Sequence, residues 1–522
     1  MEEPIRRREP DWPAPRGAAW REPSPACTHG PSWRESSLGA GGTRRPSCLL
    51  LDRFVHRSSR DAEDEGDGTT SVTSYTCVGR PIRSSLRVAD SPAVSRLYLH
   101  LPGSPEPPGM EEPSVIAAHR HSILFKVVAP LEHPWWCNDT FRFPFDLFVY
   151  SAFSSPPSLH RLPACFIGVV STPHEVEFIK PYGRQQQRPM LAEEMGLLCH
   201  GSNGEFTVAD FTHFAPDPEL CLLHYHAPAP GSGKENIETQ WRVKKVRLPP
   251  MGPDVCSWRT DAVIPINGRF LCWVDYYQGI LAVDILLAND ESIPDQQLRY
   301  IPLPEEALRS RRTDTNGDST DPARCVCVTV GGMIKLICIT NGGTSRVRAA
   351  SRSAFTITSW TLFDIFHRRW HKDGSMETAE FWGLYGGQSL PRVKPSYPLV
   401  SLVHPDVTCF LLEEDQDTFW MIEVNTRDMV LLSSALYINE EEEEEQEQGC
   451  STNMDRRNIF DGHSFIPSEF FTYLSKDAIT SRERSEMMQK AKQLRLVQKK
   501  SRAKEAKLKE SLSGLKLSEC NA

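Results

Sequence analysis

AVIPINGRFLCWVDYYQGILAVDILL, residues 262–287, is the stretch that decides the fold. Its first two runs, Ala262 to Ile266 and Arg269 to Asp275, are separated by Asn267-Gly268. Asn-Gly between apolar runs is the strongest short-range sign of a β-hairpin, because both central residues of the turn must tolerate positive φ. A second turn ending at Gly279 leads into a third run, Ile280 to Leu287. Three strands joined by tight turns make an antiparallel meander.

The same cadence appears upstream between Glu205 and Pro249. Phe206 to Asp210 alternates, Leu220 to Tyr225 is a fully buried type of run, and Trp241 to Leu248 places its apolar residues largely on one face. Both meanders close on a similar phrase, Val246-Arg247-Leu248-Pro249 and Ile301-Pro302-Leu303-Pro304, with the two leucines 55 positions apart (303 − 248). A repeat of roughly 40 to 50 residues with several strands in each unit is the pattern of propeller blades. Further strands are expected at Val326–Val330, Met333–Ile339, Phe355–Leu362, Leu399–Val403, Val407–Leu412, Phe419–Val424 and Met429–Leu432, with a polar surface loop at Arg309–Asp321. The fold class is therefore all-β and propeller-like, in the manner of kelch-type repeats, built from antiparallel meanders.

Around this body the texture changes. Residues 1–46 are dense in Pro, Arg, Gly and Ser without an apolar period, which predicts disorder. The body is expected over 47–438, and 439–455 is an acidic linker containing the run Glu440 to Glu445. Residues 456–479 read as a short connecting segment. From 480 to 513 a basic helix is expected, opened by the capping box Thr480-Ser481-Arg482-Glu483 and followed by a tail over 514–522. Residues 482–510 carry eleven Lys/Arg against four Glu, a local balance of +7 on a chain whose 59 Lys+Arg and 68 Asp+Glu sum to −9. Within that helix Lys499, Lys500, Arg502 and Lys504 fit a short nuclear-import pattern or contacts to an acidic partner.

Composition excludes several classes. A mean hydropathy of −0.41 and 39% hydrophobic residues permit a core, but no run reaches the roughly 18 to 20 apolar residues of a membrane helix. The nearest, Gly279 to Ala288, is broken by Asp284. The N-terminus has Arg6, Arg7 and Arg8 but no apolar stretch after them, so no secretory signal is expected, and Cys520 is third from the end, where a prenylation box needs it fourth. Cytoplasmic or nuclear residence follows, with the 15 cysteines as free thiols and the sequon Asn138-Asp139-Thr140 silent.

One family resemblance emerges. Trp273-Val274-Asp275-Tyr276-Tyr277-Gln278-Gly279-Ile280-Leu281-Ala282-Val283-Asp284, then Leu298 to Pro304, resembles the plant proteins of domain of unknown function 1618, a family expanded in grasses. Leu49 to Asp52, Val88 to Ser95, Phe206 to Phe211, Tyr397 to Leu402 with Pro405 to Val407, and Trp420 to Val424 continue it in order. The best-matching core is about 270–410. Trp273, Asp275, Gly279, Asp284, Pro302, Leu303 and Pro304 are its motif residues, expected to be structural. The resemblance brings no activity, cofactor or catalytic residue, and its rhythm is similar to propeller-type domains of plant F-box proteins, which bind other proteins.

Catalytic and metal motifs were sought by spacing. Gly231 to Glu235 lacks the first Gly and the Ser/Thr of a phosphate loop. Cys221, His224 and His226, with Cys199, His200 and His213 nearby, do not suit a tetrahedral zinc, because on a strand the two histidines share a face that Cys221 does not. Asp275 and Asp284 sit beside turns and are expected to hydrogen-bond there. No catalytic, cofactor-binding or metal residue is assigned. The expectation is a non-catalytic protein-interaction module with an unidentified protein partner, no cofactor and no membrane contact. The alternatives are an enzyme or metal site in the propeller axis, or nucleic-acid association through the C-terminal helix.

Overall fold

The computed structural model describes residues 49–58, 70–101, 112–128, 144–167, 187–201, 203–213, 218–226, 240–250, 252–253, 255–288, 295–309, 321–341, 354–366, 368–415, 418–437, 462 and 464–474. The chain divides into residues 1–45 and 46–522. The first unit, the linker 439–455, the helix expected over 480–513 with Lys499, Lys500, Arg502 and Lys504, and the tail 514–522 lie outside the described residues.

The second unit is a β-propeller of six blades. In chain order its strands begin with β1 (Leu49–Ser58), β2 (Val72–Tyr75), β3 (Pro81–Arg87) and β4 (Val94–His100), the bulk of blade 1. Blade 2 is β5 (Ser114–His119), β6 (Ser122–Val128), β7 (Phe145–Ser151) and β8 (Ser158–Arg161). Blade 3 is β9 (Met195–His200), β10 (Glu205–Thr212), β11 (Glu219–Tyr225) and β12 (Arg242–Arg247). Blade 4 is β13 (Ala262–Ile266), β14 (Phe270–Asp275), β15 (Gly279–Asp284) and β17 (Arg299–Pro302), while the preceding β16 (Asp295–Gln297) adds a parallel fifth strand to blade 3. Blade 5 is β18 (Arg324–Val328), β19 (Ile334–Asn341), β20 (Phe355–Leu362) and β21 (Trp370–Glu377), and blade 6 is β22 (Ser396–Val400), β23 (Val407–Asp415), β24 (Thr418–Asn425) and β25 (Val430–Tyr437). The last strand, β26 (Phe465–Ser468), falls in the stretch read as a connecting segment and pairs antiparallel with β1 as the innermost strand of blade 1. The innermost strands β5, β9, β13, β18, β22 and β26 each touch the next, and β26 touches β5. The ring is thereby closed by strands from opposite ends of the chain.

Why the family stretch reads as unbroken apolar runs is now visible. Along β14, Leu271 and Trp273 enter the core shared with blade 3, while Phe270, Cys272 and Val274 enter the core shared with blade 5. Side chains alternate faces along a strand, and a blade has a neighbour on both faces, so every position is apolar. The cores therefore lie between blades. The Asn267-Gly268 turn forms as expected, with φ of 52° and 61°.

Some expectations shift. The run taken as strand to Ile285 or beyond stops at Asp284, whose carboxylate Oδ1 accepts the Leu287 amide and starts a helical turn, α1 (Ile285–Ala288). On β12 the apolar residues do not share one face: Val243 is exposed while Trp241 and Val246 are buried. The two phrases 55 residues apart do mark equivalent places, each at the end of the fourth strand of its blade, but innermost strands begin 62 (262 to 324) to 81 (114 to 195) residues apart. The blades are longer than the phrase suggests because loops of unequal length separate their strands. Among the described residues, ten cysteines are free, and no helix is long and apolar enough to cross a membrane.

Candidate functional site: the axial channel and the face around it

The innermost strands of blades 2 to 6 each end in a turn that leads to the second strand of the blade, and these turns meet on one face of the ring. The Arg120 guanidinium of blade 2 lies over Gly268 of blade 4, and the Asn267 side chain lies against Gly332 of blade 5. Val330 of blade 5 donates its amide to Leu402 of blade 6 (2.8 Å). His121 of blade 2 meets Tyr473, which follows β26, ring to ring at 5.6 Å. We call this the hairpin face.

Inside the ring lies a cavity of about 410 Å3, lined by β5, β13, β18, β22 and β26 with Arg53 of β1. Its ionisable groups fall into two sets. Away from the hairpin face, Asp261 accepts the Tyr276 amide (2.7 Å), Asp321 accepts the Tyr277 hydroxyl and the Ala323 amide, and the buried Arg324 donates to the carbonyls of Tyr276 and Ala307 while covering the Tyr277 ring at 4.0 Å. These groups are committed to holding blades 4 and 5 together. Burial pushes the Tyr276 hydroxyl well above its ordinary range, so it stays neutral. Near the hairpin face, burial pushes the Glu469 carboxyl up against the opposing pull of Arg120, and burial likewise raises Tyr473. His119, which accepts the Cys199 amide on Nδ1 (2.8 Å), is pushed down to about 3 by burial and is neutral.

The motif residues frame blade 4 and stand outside this cavity. Trp273 is fully buried and donates Nε1–H to the Glu194 carbonyl (2.8 Å), in the 3-10 turn that precedes β9. Asp275 accepts the Arg259 and Tyr277 amides (2.9 and 2.8 Å) and so closes the β14–β15 turn. At Gly279 a Cβ would stand 2.5 Å from the Tyr300 ring and 2.6 Å from the Ile301 carbonyl, which is why β17 can approach only a glycine. Asp284 takes both Nε and Nη2 of Arg269 (2.7 and 2.6 Å). Pro302 accepts Nε1–H of Trp370 from blade 5 (2.9 Å), Leu303 is buried, and Pro304 precedes the helical turn α2 (Glu305–Leu308). Asp275 and Asp284 sit at opposite ends of the β14–β15 hairpin and do not pair.

The histidine-cysteine group also resolves into structure. His200 Nε2 and His224 Nδ1 both meet the Thr207 hydroxyl (2.8 and 2.6 Å) across three strands. Cys221 points to the other face, 3.7 Å from Cys165. Among the described residues, no set of three His, Cys, Asp or Glu side chains is placed to hold a metal ion. Sequence reasoning missed Arg53, Arg120, Glu469 and Tyr473. They lie far apart in the chain, and no local spacing links them.

No curated protein matches the chain. Among solved structures, similarity extends to a putative 6-phosphogluconolactonase of Bacteroides fragilis (10% identity, 60% of this chain and 82% of that one, TM-score 0.26). It extends also to TolB of Acinetobacter baumannii (10%, 78% and 68%, 0.29) and to the periplasmic gluconolactonase PpgL of Pseudomonas aeruginosa (10%, 70% and 82%, 0.29). At such scores the fold rests on the strand pairing described above. Residues 273–409, from the buried Trp273 of blade 4 to Cys409 of blade 6, match the family model described as protein of unknown function (DUF1618).

Proposed function

We propose that the protein is a non-catalytic protein-interaction module and that the hairpin face is its contact surface. One observation carries this reading. Ten large apolar residues of the turns on that face are exposed: Phe153, Leu286, Leu287, Val330, Phe363, Phe366, Val403, Met429, Val430 and Tyr473. Phe363 and Val330 are 65% and 64% exposed. Single exposed apolar residues are ordinary on soluble proteins, whereas many on the turns of one face suit contact with a protein partner. Arg299 stands over the Phe366 ring at 4.4 Å, adding the aromatic and arginine character common in interface cores. The test is affinity capture with the full chain and two double variants. Phe363→Asp with Val403→Asp should lose the partner, and Tyr75→Asp with Ile167→Asp, placed elsewhere, should keep it. An unchanged capture profile from the first variant overturns the assignment.

A further inference from the structure

Arg53 holds a charge that the fold does not neutralise. It follows Asp52 on β1, but the two side chains serve opposite sides of the strand. Asp52 takes Nε of Arg96 (3.4 Å) and the Tyr437 hydroxyl (2.8 Å), while Arg53 turns to the axis and lines the cavity. Its Nη1 donates to the backbone carbonyls of Ile116 and Val115 (2.9 and 3.4 Å). Its Nε is sealed from water without an acceptor, and no carboxylate among the described residues pairs with it. Burial pulls its pKa down, with only the Tyr276 hydroxyl and Glu193 acting in the other direction. Arg53 is partly buried, with Nε sealed, and a guanidinium so placed without a counter-charge is a costly arrangement, since charges withdrawn from water are ordinarily paired.

We infer that the axial cavity is a binding site for a small molecule carrying an oxyanion, a carboxylate or a phosphate monoester, which supplies the acceptor that Arg53 lacks. The cavity volume of about 410 Å3 lies within the roughly 300 to 1,000 Å3 of small-molecule sites. With Nη1 committed to the backbone and Nε sealed, Nη2 is the nitrogen left to meet an oxyanion, through one charge-assisted hydrogen bond. At the hairpin-face mouth Arg120 makes no ion pair among the described residues and gives an entering anion a second cation. The carboxylates that also line the cavity are accounted for: Asp261 and Asp321 are held by backbone amides and Tyr277, and Glu469 is pushed toward its neutral form. This inference stands apart from the hairpin face and does not require a protein partner.

The experiment uses the full-length protein in chloride buffers of matched ionic strength, with sodium phosphate and sodium citrate as separate probes, read by thermal melting and titration calorimetry. A ligand that binds only the native state stabilises it by an amount that grows with the logarithm of its concentration above Kd, so at least one probe should raise the melting temperature and give a saturable heat in calorimetry. A response to phosphate alone assigns the phosphate class and one to citrate alone the carboxylate class. Arg53→Met should abolish the saturable heat, and Arg53→Gln, which keeps a hydrogen-bonding side chain but loses the charge, should weaken binding by at least about tenfold. No saturable heat with either probe, or unchanged affinity in Arg53→Met, overturns the site. If Arg53→Met does not fold, unchanged affinity in Arg53→Gln overturns it instead.

Discussion

Blade 4 and blade 1 have the same job in the ring and opposite construction. In blade 4 the strands β13, β14 and β15 are joined by short turns and β17 follows after β16, and the register of the first three comes from Asn267-Gly268 and from the Asp275 to Gly279 turn. Blade 1 is ordered β2-β3-β4-β1, with β26 on the inner side of β1, and it contains the parallel pair β1–β4. Its inner strand arrives from the far end of the chain. The first is specified by contacts a few residues apart, the second by contacts over 400 residues apart. Local pairs cost little chain entropy to form, whereas closing the ring through β26 requires the other five blades to have brought the ends together.

The largest effect should come from separating these ends. Stopping the chain at residue 461 removes β26, uncovers Leu49, Leu50 and Leu51, and takes Phe465 out of the core shared by blades 5, 6 and 1. Large buried side chains are each worth about 2–5 kcal/mol, so the cooperative thermal transition should be lost. Stopping at residue 479 should leave it almost unchanged. Equal melting of the two truncations would break the comparison.

Within blade 4 the corresponding test is Trp273→Ala, expected to cost about 3–5 kcal/mol in denaturant unfolding. Trp273→Phe should cost about 1–3 kcal/mol, because the buried Glu194 carbonyl loses its donor. If Trp273→Phe costs nothing, packing alone fixes this residue and the hydrogen bond to blade 3 counts for nothing.

A smaller difference should appear with pH. Burial pushes His119 and His224 down to about 3 and His121 to about 4, all in blades 2 and 3. A histidine whose folded pKa lies below its unfolded value near 6.5 contributes stability above that value and loses it as the pH falls toward the folded pKa. Asp210 of blade 3, raised to about 7 by burial, acts the other way, its contribution being present in acid and lost as the pH rises through about 7. His200, also lowered by burial, joins the three histidines, and Asp146 and Glu469, raised by burial, join Asp210, so four groups against three predict a shallow fall of the melting temperature between about pH 6.5 and pH 4. A flat or rising profile would contradict the neutral state of these histidines.

The smallest effect is expected at the surface of blade 4. Arg269 is half exposed, so despite two short bonds to Asp284, Arg269→Ala should cost only about 0–1 kcal/mol and less in high salt. A cost above that range would give the pair a structural weight that its exposure does not suggest.

By itself the sequence determined what local physics determines. Asn267-Gly268 had to turn, the runs on either side had to pair, and the unbroken apolar character of β14 and β15 announced strands covered on both faces. It also placed Asp275 at a turn. It was silent where a strand has little apolar pattern, as in β21, a mostly exposed edge reading WHKDGSME, and where a strand is four residues long, as in β26. It ran past the strand end at Asp284 to Leu287, because a capping carboxylate and a strand-end aspartate look alike in one dimension. Only the tertiary structure decided the number of blades, the closure through β26 and the meeting of Arg53, Arg120, Glu469 and Tyr473 around one axis. Those depend on which distant segments come together, and a side chain facing an axis has no periodicity that distinguishes it from one facing solvent.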